Sequence, residues 1–284
     1  MEPPIITREF TSFRDRRFSS SKATATFVAM PAPERRSIDL GATIAGIRFP
    51  FCAMNASGAA SSTSSELRAL ARSATGAIVL KSATVHPFVH PEYRSLHNPG
   101  FDKLVPLVRE LVEIARCPVV ASIAGATVDE YGVLARAFGD GGAALVEANL
   151  ADPYVAATLA PWEDRSALRA VLERLVAATA IPVAVKLPER IGFPYAELGR
   201  ELRAAGVPAV VARNDFAGLE KLLLEGGGGF DVIAVGGVQS GYDVSRALTK
   251  GAKAVQVGSA LVTEGTSIFA RLAREMRIAR GERP

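Results

Sequence analysis

The sequence of 284 residues predicts a (β/α)8 TIM barrel, an α/β fold, on three observations. Short apolar runs alternate with stretches of helical spacing eight times from Phe51 onward, and strands joined by helical crossovers pair in parallel. The eight units follow one another without interruption, which favours closing the sheet into a barrel over leaving it open and doubly wound. The last two apolar runs each stop abruptly, at Gly236-Gly237 and at Gly258-Ser259. The loops after the seventh and eighth strands are where such barrels usually bind phosphate.

Taken in order, Met1 to Arg36 is polar, with Pro3, Pro4, Pro31, Pro33 and the run Ser19-Ser20-Ser21. It is expected as an arm or tail, either frayed or packed on a partner subunit through Phe10, Phe13 and Phe18, ahead of a single barrel domain over 37–284. Ile38 to Phe49 alternates around Gly41 and Gly46 and reads as a small hairpin. The eight strands are expected at Phe51–Met54, Ile78–Leu80, Val119–Ile123, Ala144–Ala148, Val183–Val185, Ala209–Ala212, Val232–Val235 and Ala254–Val257. Pro118 and Pro182 each stand just before one of them, where a missing N–H costs little. The helices are expected at Ser64–Ala74, Asp102–Ala115, Val128–Phe138, Asp164–Thr179, Tyr195–Ala205, Phe216–Leu224, Ser240–Thr249 and from Thr266 onward. Gly251 follows the seventh as a C-terminal cap.

Composition narrows the function. Apolar residues make up 49%, enough for a full core. Of the net charge of +4, residues 1–36 supply +3, with seven Lys/Arg against four Asp/Glu. The barrel is therefore left with +1, no basic excess suited to nucleic acid. No apolar run approaches the ~18–20 residues that span a bilayer. Cys52 and Cys117 lie in or beside apolar runs without CxxC spacing, as reduced core residues of a cytoplasmic protein do. The acidic residues of the first 36 positions argue against a secretory signal.

Barrel enzymes place their chemistry at the C-terminal ends of the strands. Those positions hold Asn55-Ala56-Ser57-Gly58, Lys81-Ser82-Ala83-Thr84, Ser122, Glu147-Ala148-Asn149, Lys186, Asn214-Asp215 and the two glycine pairs. Lys81 and Lys186 close otherwise apolar strands, so each needs a polar ligand or a buried partner. Either they face a common anionic or electron-rich ring, or one pairs with Glu147, or one is a desolvated nucleophile.

These strand-end motifs are similar to those of the class 1 dihydroorotate dehydrogenases. The resemblance rests on Asn55-Ala-Ser-Gly58, Lys81-Ser-Ala-Thr84, Ala121-Ser-Ile123, Glu147-Ala-Asn-Leu150 and Val185-Lys-Leu-Pro188. It continues through Gly236-Gly-Val-Gln-Ser-Gly-Tyr-Asp243 and Gly251-Ala-Lys-Ala-Val-Gln-Val-Gly-Ser-Ala-Leu261, and it covers Ile38 to Met276 in order. It implies an FMN-binding barrel that forms a homodimer and acts on a small molecule. The phosphate is then expected on Gly236, Gly237, Gly258 and Ser259, with Ala56, Ser57, Gly58 and Ser82 along the flavin. Lys81 and Lys186 would face its pyrimidine end, where negative charge develops on reduction. Asn149 and Asn214 would hydrogen-bond the substrate.

The departures fall on the substrate side. Where the family reads Asn-x-Ser-Cys-Pro-Asn, or has serine in place of the cysteine, this chain reads Asn149-Leu-Ala-Asp152-Pro-Tyr154. Asp152 thus holds the position of the base, and Tyr154 replaces a substrate-binding asparagine. The alternative for Asp152 is a loop aspartate that caps a nearby helix. Asp152 and Lys81 are the candidate catalytic residues; Asn149, Tyr154, Asn214, Asp215, His97 and Asn98 are the candidate substrate contacts. The family's segment after strand two is shortened before Asn98, and its glycine-rich flavin segment is reduced to Glu225-Gly-Gly-Gly-Gly229. His86, His90 and His97 share one loop but lack zinc-site spacing, so no metal is expected, although one of them could serve as an acid, a base or a substrate ligand.

The expected function is an FMN-dependent oxidoreductase acting on CH–CH bonds of a small cyclic or amide-containing substrate other than dihydroorotate. The alternatives are a genuine dihydroorotate dehydrogenase, a flavin-free phosphate-binding lyase or isomerase using Lys81 or Lys186, and a non-catalytic protein that keeps FMN for stability.

Overall fold

The structure is a computed structural model and describes residues 38–89, 97–156, 158–214 and 217–281. The expected arm over 1–36, and the candidate residues Asp215 and His90, lie outside the described residues. Eight parallel strands form one sheet: β3 (Ala53–Asn55), β4 (Ile78–Val79), β5 (Val119–Ile123), β6 (Leu145–Asn149), β7 (Val183–Lys186), β8 (Ala209–Arg213), β9 (Asp231–Val235) and β10 (Ala254–Val257). Their order is β3-β10-β9-β8-β7-β6-β5-β4, so neighbours in sequence are neighbours in space and the last strand lies beside the first. Helices follow them in turn: α1 (Ser64–Ala71), α2 (Phe101–Ile114), α3 (Val128–Asp140), α5 (Arg165–Ala178), α6 (Tyr195–Ala204), α7 (Ala217–Glu225), α8 (Gly241–Thr249) and α10 (Ser267–Ala279). This is the eightfold barrel that the sequence predicts, with element ends shifted by a few residues.

Only the seam between β3 and β4 lacks a regular ladder. It is closed by a side chain. Asn55 donates through Nδ2 to the carbonyl of Val79 at 2.6 Å and accepts from Val79 N–H through Oδ1 at 2.9 Å. Its carboxamide thereby substitutes for the missing strand pairing, and Asn55 is fully buried. Gly76 N–H adds a bond to the carbonyl of Ala53 at 2.8 Å. A Cβ on Gly76 would sit 1.8 Å from the carbonyl oxygen of Phe51, so only glycine permits this approach.

The hairpin, β1 (Ala42–Ile44) with β2 (Ile47–Phe49), covers the N-terminal end of the barrel. Ile44 and Phe49 point into the core, and Asp231 at the start of β9 anchors the turn by accepting from Ala45 N–H at 2.8 Å and pairing with Lys253 at 2.5 Å. Two helices escape the sequence pattern, α4 (Pro153–Ala156) and α9 (Ser259–Glu264), because four and six residues are too short to display a period. Among the described residues no helix is long and apolar enough to cross a membrane.

One expectation is corrected here. Gly226 to Gly229 was expected to be the remnant of a flavin-contacting segment. It instead connects α7 to the start of β9, at the end of the barrel opposite the strand termini, where Arg203 binds the carbonyls of Gly226 and Gly228. It cannot reach a ligand at the other end.

Replacing Asn55 by Ala leaves a buried N–H and a buried C=O of Val79 without partners, at ~1–3 kcal/mol each. Asn55→Ala is expected to lower stability by about 2–6 kcal/mol in urea denaturation. A loss under ~1 kcal/mol would show that the seam holds by other means.

Candidate active site

The mouth of the barrel concentrates polar groups that the interior below it cannot solvate. Glu147 on β6 and Gln256 on β10 are both 1% exposed. Gln256 Nε2 donates to Glu147 Oε2 at 2.5 Å, a link that crosses the barrel because three strands lie between the two in the sheet. Lys186 Nζ lies 4.0 Å from Glu147 Oε1, so one of the two lysines does pair with Glu147. Oε1 of Glu147 and Oε1 of Gln256 are buried without a hydrogen-bond partner. Lys81, 6% exposed, has its pKa lowered by burial, opposed by the charge of Asp152 and reinforced by that of Lys186. The two ammonium groups and the Asp152 carboxylate therefore act on one site.

A chain of hydroxyls runs around the same mouth. Ser57 and Ser82 are 3.0 Å apart, Ser82 and Ser122 3.1 Å, and Asn149 Nδ2 donates to Ser82 Oγ at 2.8 Å. Asn149 Nδ2 also reaches Asp152 Oδ2 at 3.4 Å. Asp152 Oδ1 accepts from Tyr154 N–H at 3.1 Å, so Asp152 does cap α4, as the alternative for it had it. Only one oxygen is spent on the cap. The other faces Asn149, on the side where Lys81 lies.

The loop after β4 folds over this side. The Asn98 carboxamide oxygen accepts from Thr84 Oγ1 at 2.8 Å and from Gly100 N–H at 3.0 Å, so that oxygen ties the two ends of the loop together. Phe88 meets Tyr154 edge to face, with ring centroids 5.1 Å apart and planes at 61°. Partial burial raises the Tyr154 phenol above its usual pKa. His97 is half-buried in this loop and His86 is exposed. Asn214, 5% exposed, stands at the end of β8 with its N–H bound to the carbonyl of Val235. Among the described residues no cluster of three His, Cys, Asp or Glu could hold a metal.

On the opposite side lies a cavity of about 220 Å³, walled by Ala56, Ser57 and Gly58 on one flank and by Gly258, Ser259 and Val262 on the other. Gly258 caps α9 and its carbonyl accepts from the N–H groups of Leu261 and Val262, which leaves the amides of Ser259 and Ala260 without a partner within the helix. Gln256 pairs with Val235, so Gly236-Gly237 and Gly258 leave the sheet side by side. Gly236 and Gly237 have φ of 96° and 69°, and a Cβ on either would meet nothing within 4 Å. The start of α8 is different: Asp243 occupies the amides of Gln239 and Ser240, and Glu275 occupies that of Gly241. The anion cradle expected at two helix starts is thus confined to the glycine pairs and α9.

A family model described as dihydroorotate dehydrogenase matches residues 219–279. Dihydroorotate dehydrogenase A (fumarate) of Lactiplantibacillus plantarum is 30% identical over 84% of this chain and 93% of its own. The chain belongs to the dihydroorotate dehydrogenase family. The catalytic subunit of dihydroorotate dehydrogenase B (NAD(+)) from Methanocaldococcus jannaschii is 26% identical over 84% of this chain and 92% of its own. The fold agrees with that of the Eimeria tenella enzyme in complex with ferulenol, at a TM-score of 0.73, 15% identity and 87% coverage of each chain. The expectation of a substrate other than dihydroorotate finds no support in these relatives, which favour the alternative.

Dihydroorotate dehydrogenases bind FMN, and the residues here fit it. The open glycines and α9 amides suit a phosphate, the cavity beside Ala56 to Gly58 suits the ring edge, and the unpartnered Gln256 oxygen marks a mouth built for more polar partners than the chain supplies. Sequence reading passed over Gln256, although a lone polar residue in the run Ala254-Val-Gln-Val257 was a usable signal.

Lys81 carries a test in its pKa. Its folded value lies below the ordinary 10.5, so the unfolded chain binds more protons between the two and stability rises with pH across that window. Below it the burial penalty is complete. Lys81→Met in flavin-free protein is expected to raise Tm at pH 7 in thermal unfolding, because it removes a buried charge. The gain should shrink as pH nears 10.5. A lower Tm at pH 7 would mean that the Asp152 contact outweighs desolvation.

Proposed function

We propose that the chain is an FMN-dependent dihydroorotate dehydrogenase whose proton acceptor is Asp152. The observation that carries this reading is the meeting of Asp152, Lys81 and Asn149 at the barrel mouth, linked through Ser82 and Ser57 to the cavity that suits a flavin on the other side. It is supported by relatives that are themselves named for dihydroorotate oxidation. When bound, FMN supplies the hydride acceptor. The protein must then take the proton that leaves the neighbouring carbon and hold the ring in place. Asp152 Oδ2 is the oxygen available for that proton, since Oδ1 is engaged with Tyr154 N–H. Asn149 fixes the carboxylate and is itself fixed by Ser82. Lys81 adds a nearby positive charge that favours anionic groups in the site. A homodimer is proposed on the family resemblance alone.

A second reading keeps the same chemistry on another cyclic amide. It is favoured by Tyr154, which with Phe88 presents an aromatic wall where the family keeps an asparagine. Anaerobic addition of dihydroorotate to the yellow protein separates the two. Bleaching supports the first, while bleaching only by other cyclic amides supports the second. A colourless protein would sink both.

Asp152→Asn keeps the cap, because asparagine accepts from Tyr154 N–H, but it cannot accept a proton. Flavin retention should be unchanged, and substrate-driven flavin reduction should slow at least ~10²-fold in stopped flow. Reduction at the parental rate would move the base elsewhere.

A further inference from the structure

We propose that Arg271 is the positioning residue for the cofactor phosphate, a brace that locks the two halves of the cradle together from behind. The inference rests on the FMN reading above and concerns a residue that does not touch the cradle. Arg271 lies on α10, and its guanidinium reaches the loop after β9, the end of α9 and Glu275 on its own helix. Nη2 donates to the carbonyl of Gln239 at 2.8 Å, two residues past Gly237. Nε and Nη2 form a forked pair with Glu264 at 2.9 and 2.7 Å. Nη1 donates to Glu275 at 2.6 Å, and the other oxygen of Glu275 accepts from Gly241 N–H at 2.6 Å.

Glu264 is the last residue of α9, whose first residue is Ser259. One turn and a half of helix moves as a unit, so fixing Glu264 fixes the amides at Ser259. Gln239 and Gly241 bracket the end of the other loop. A single planar fork thus sets the spacing between Gly236-Gly237 and Gly258-Ser259. Lysine could not do this, because an ammonium lacks the fixed donor directions. Arg271 also neutralises Glu264 and Glu275, whose carboxylates would otherwise add two negative charges behind the cradle. Burial alone would raise the Glu275 carboxyl, but Gly241 N–H and Arg271 hold it below the usual range, so it is charged at neutral pH.

The test is Arg271→Met in full-length protein loaded with FMN or with riboflavin, which lacks only the phosphate. Release after dilution is followed by flavin fluorescence. FMN should leave at least ~10-fold faster than from the parent, riboflavin less than ~2-fold faster, and Arg271→Lys should fall between. Equal acceleration of both flavins, or of neither, overturns the proposal. Hydrogen exchange tests the brace without any flavin: amides of 236–241 and 258–264 should exchange faster in Arg271→Met while those of β5 to β7 do not, and unchanged exchange in both loops overturns it. Failure of the parent to bind either flavin would instead defeat the FMN reading and leave the exchange result to decide on the brace. If Arg271→Met does not fold, Glu264→Gln, which removes the charged partner of the fork, carries the same comparisons.

Discussion

The pair of hydrogen bonds between Asn55 and Val79 holds the rest of this structure in register. Seven of the eight strand junctions are ordinary parallel ladders, and a sheet with seven ladders could as well stay open. The Asn55 carboxamide offers one donor and one acceptor with the spacing of a peptide group, so it can complete the ring where β3 and β4 diverge. Divergence at that point has a use. It lets Ala56 to Gly58 turn away from the sheet and wall the cavity, while Ala56 N–H stays bound to the carbonyl of Val257. Closure and ligand space come from the same local departure from regular pairing.

Once closed, the barrel imposes an electrostatic problem at its mouth. Two lysines, an aspartate and a glutamate end on a site whose floor is apolar, and a buried charge is tolerated only with partners. Glu147 finds Gln256 across the barrel and Lys186 beside it; Lys81 finds Asp152. The solution is incomplete, since two buried oxygens remain without hydrogen bonds. A ligand donor that reached either oxygen would meet a buried acceptor that has no partner within the chain.

The two sides of the mouth are built differently. On the side proposed for the phosphate, α9, the glycine loop and the start of α8 are tied to α10 through Arg271 and Glu275. The substrate side is held more locally, by Asn98 within its own loop and by Asp152 at the start of a four-residue helix. This division matches where the chain keeps and where it loses its family's motifs. Positions tied to α10 through Arg271 are held from several elements at once, whereas those on the other side can change with local consequences only.

The sequence by itself determined the architecture, because periodicity is a local property: eight alternations of apolar runs and helical spacing leave few folds, and each glycine stop marks a strand end. It also put Lys81, Asn149, Asp152 and Lys186 at one mouth, since strand-end positions in a barrel converge whatever the details. Tertiary structure alone decided the partners. That Glu147 meets Gln256, 109 residues away, depends on strands four places apart facing each other across the barrel. That Asn55 closes the ring instead of binding a ligand depends on β4 stopping after two residues. The glycine tract after α7 looked functional in sequence and fell on the wrong end, because composition carries no sense of which end of a barrel a loop occupies. Arg271 showed no signal at all, being one arginine on an amphipathic helix until folding brought Gln239, Glu264 and Glu275 around it.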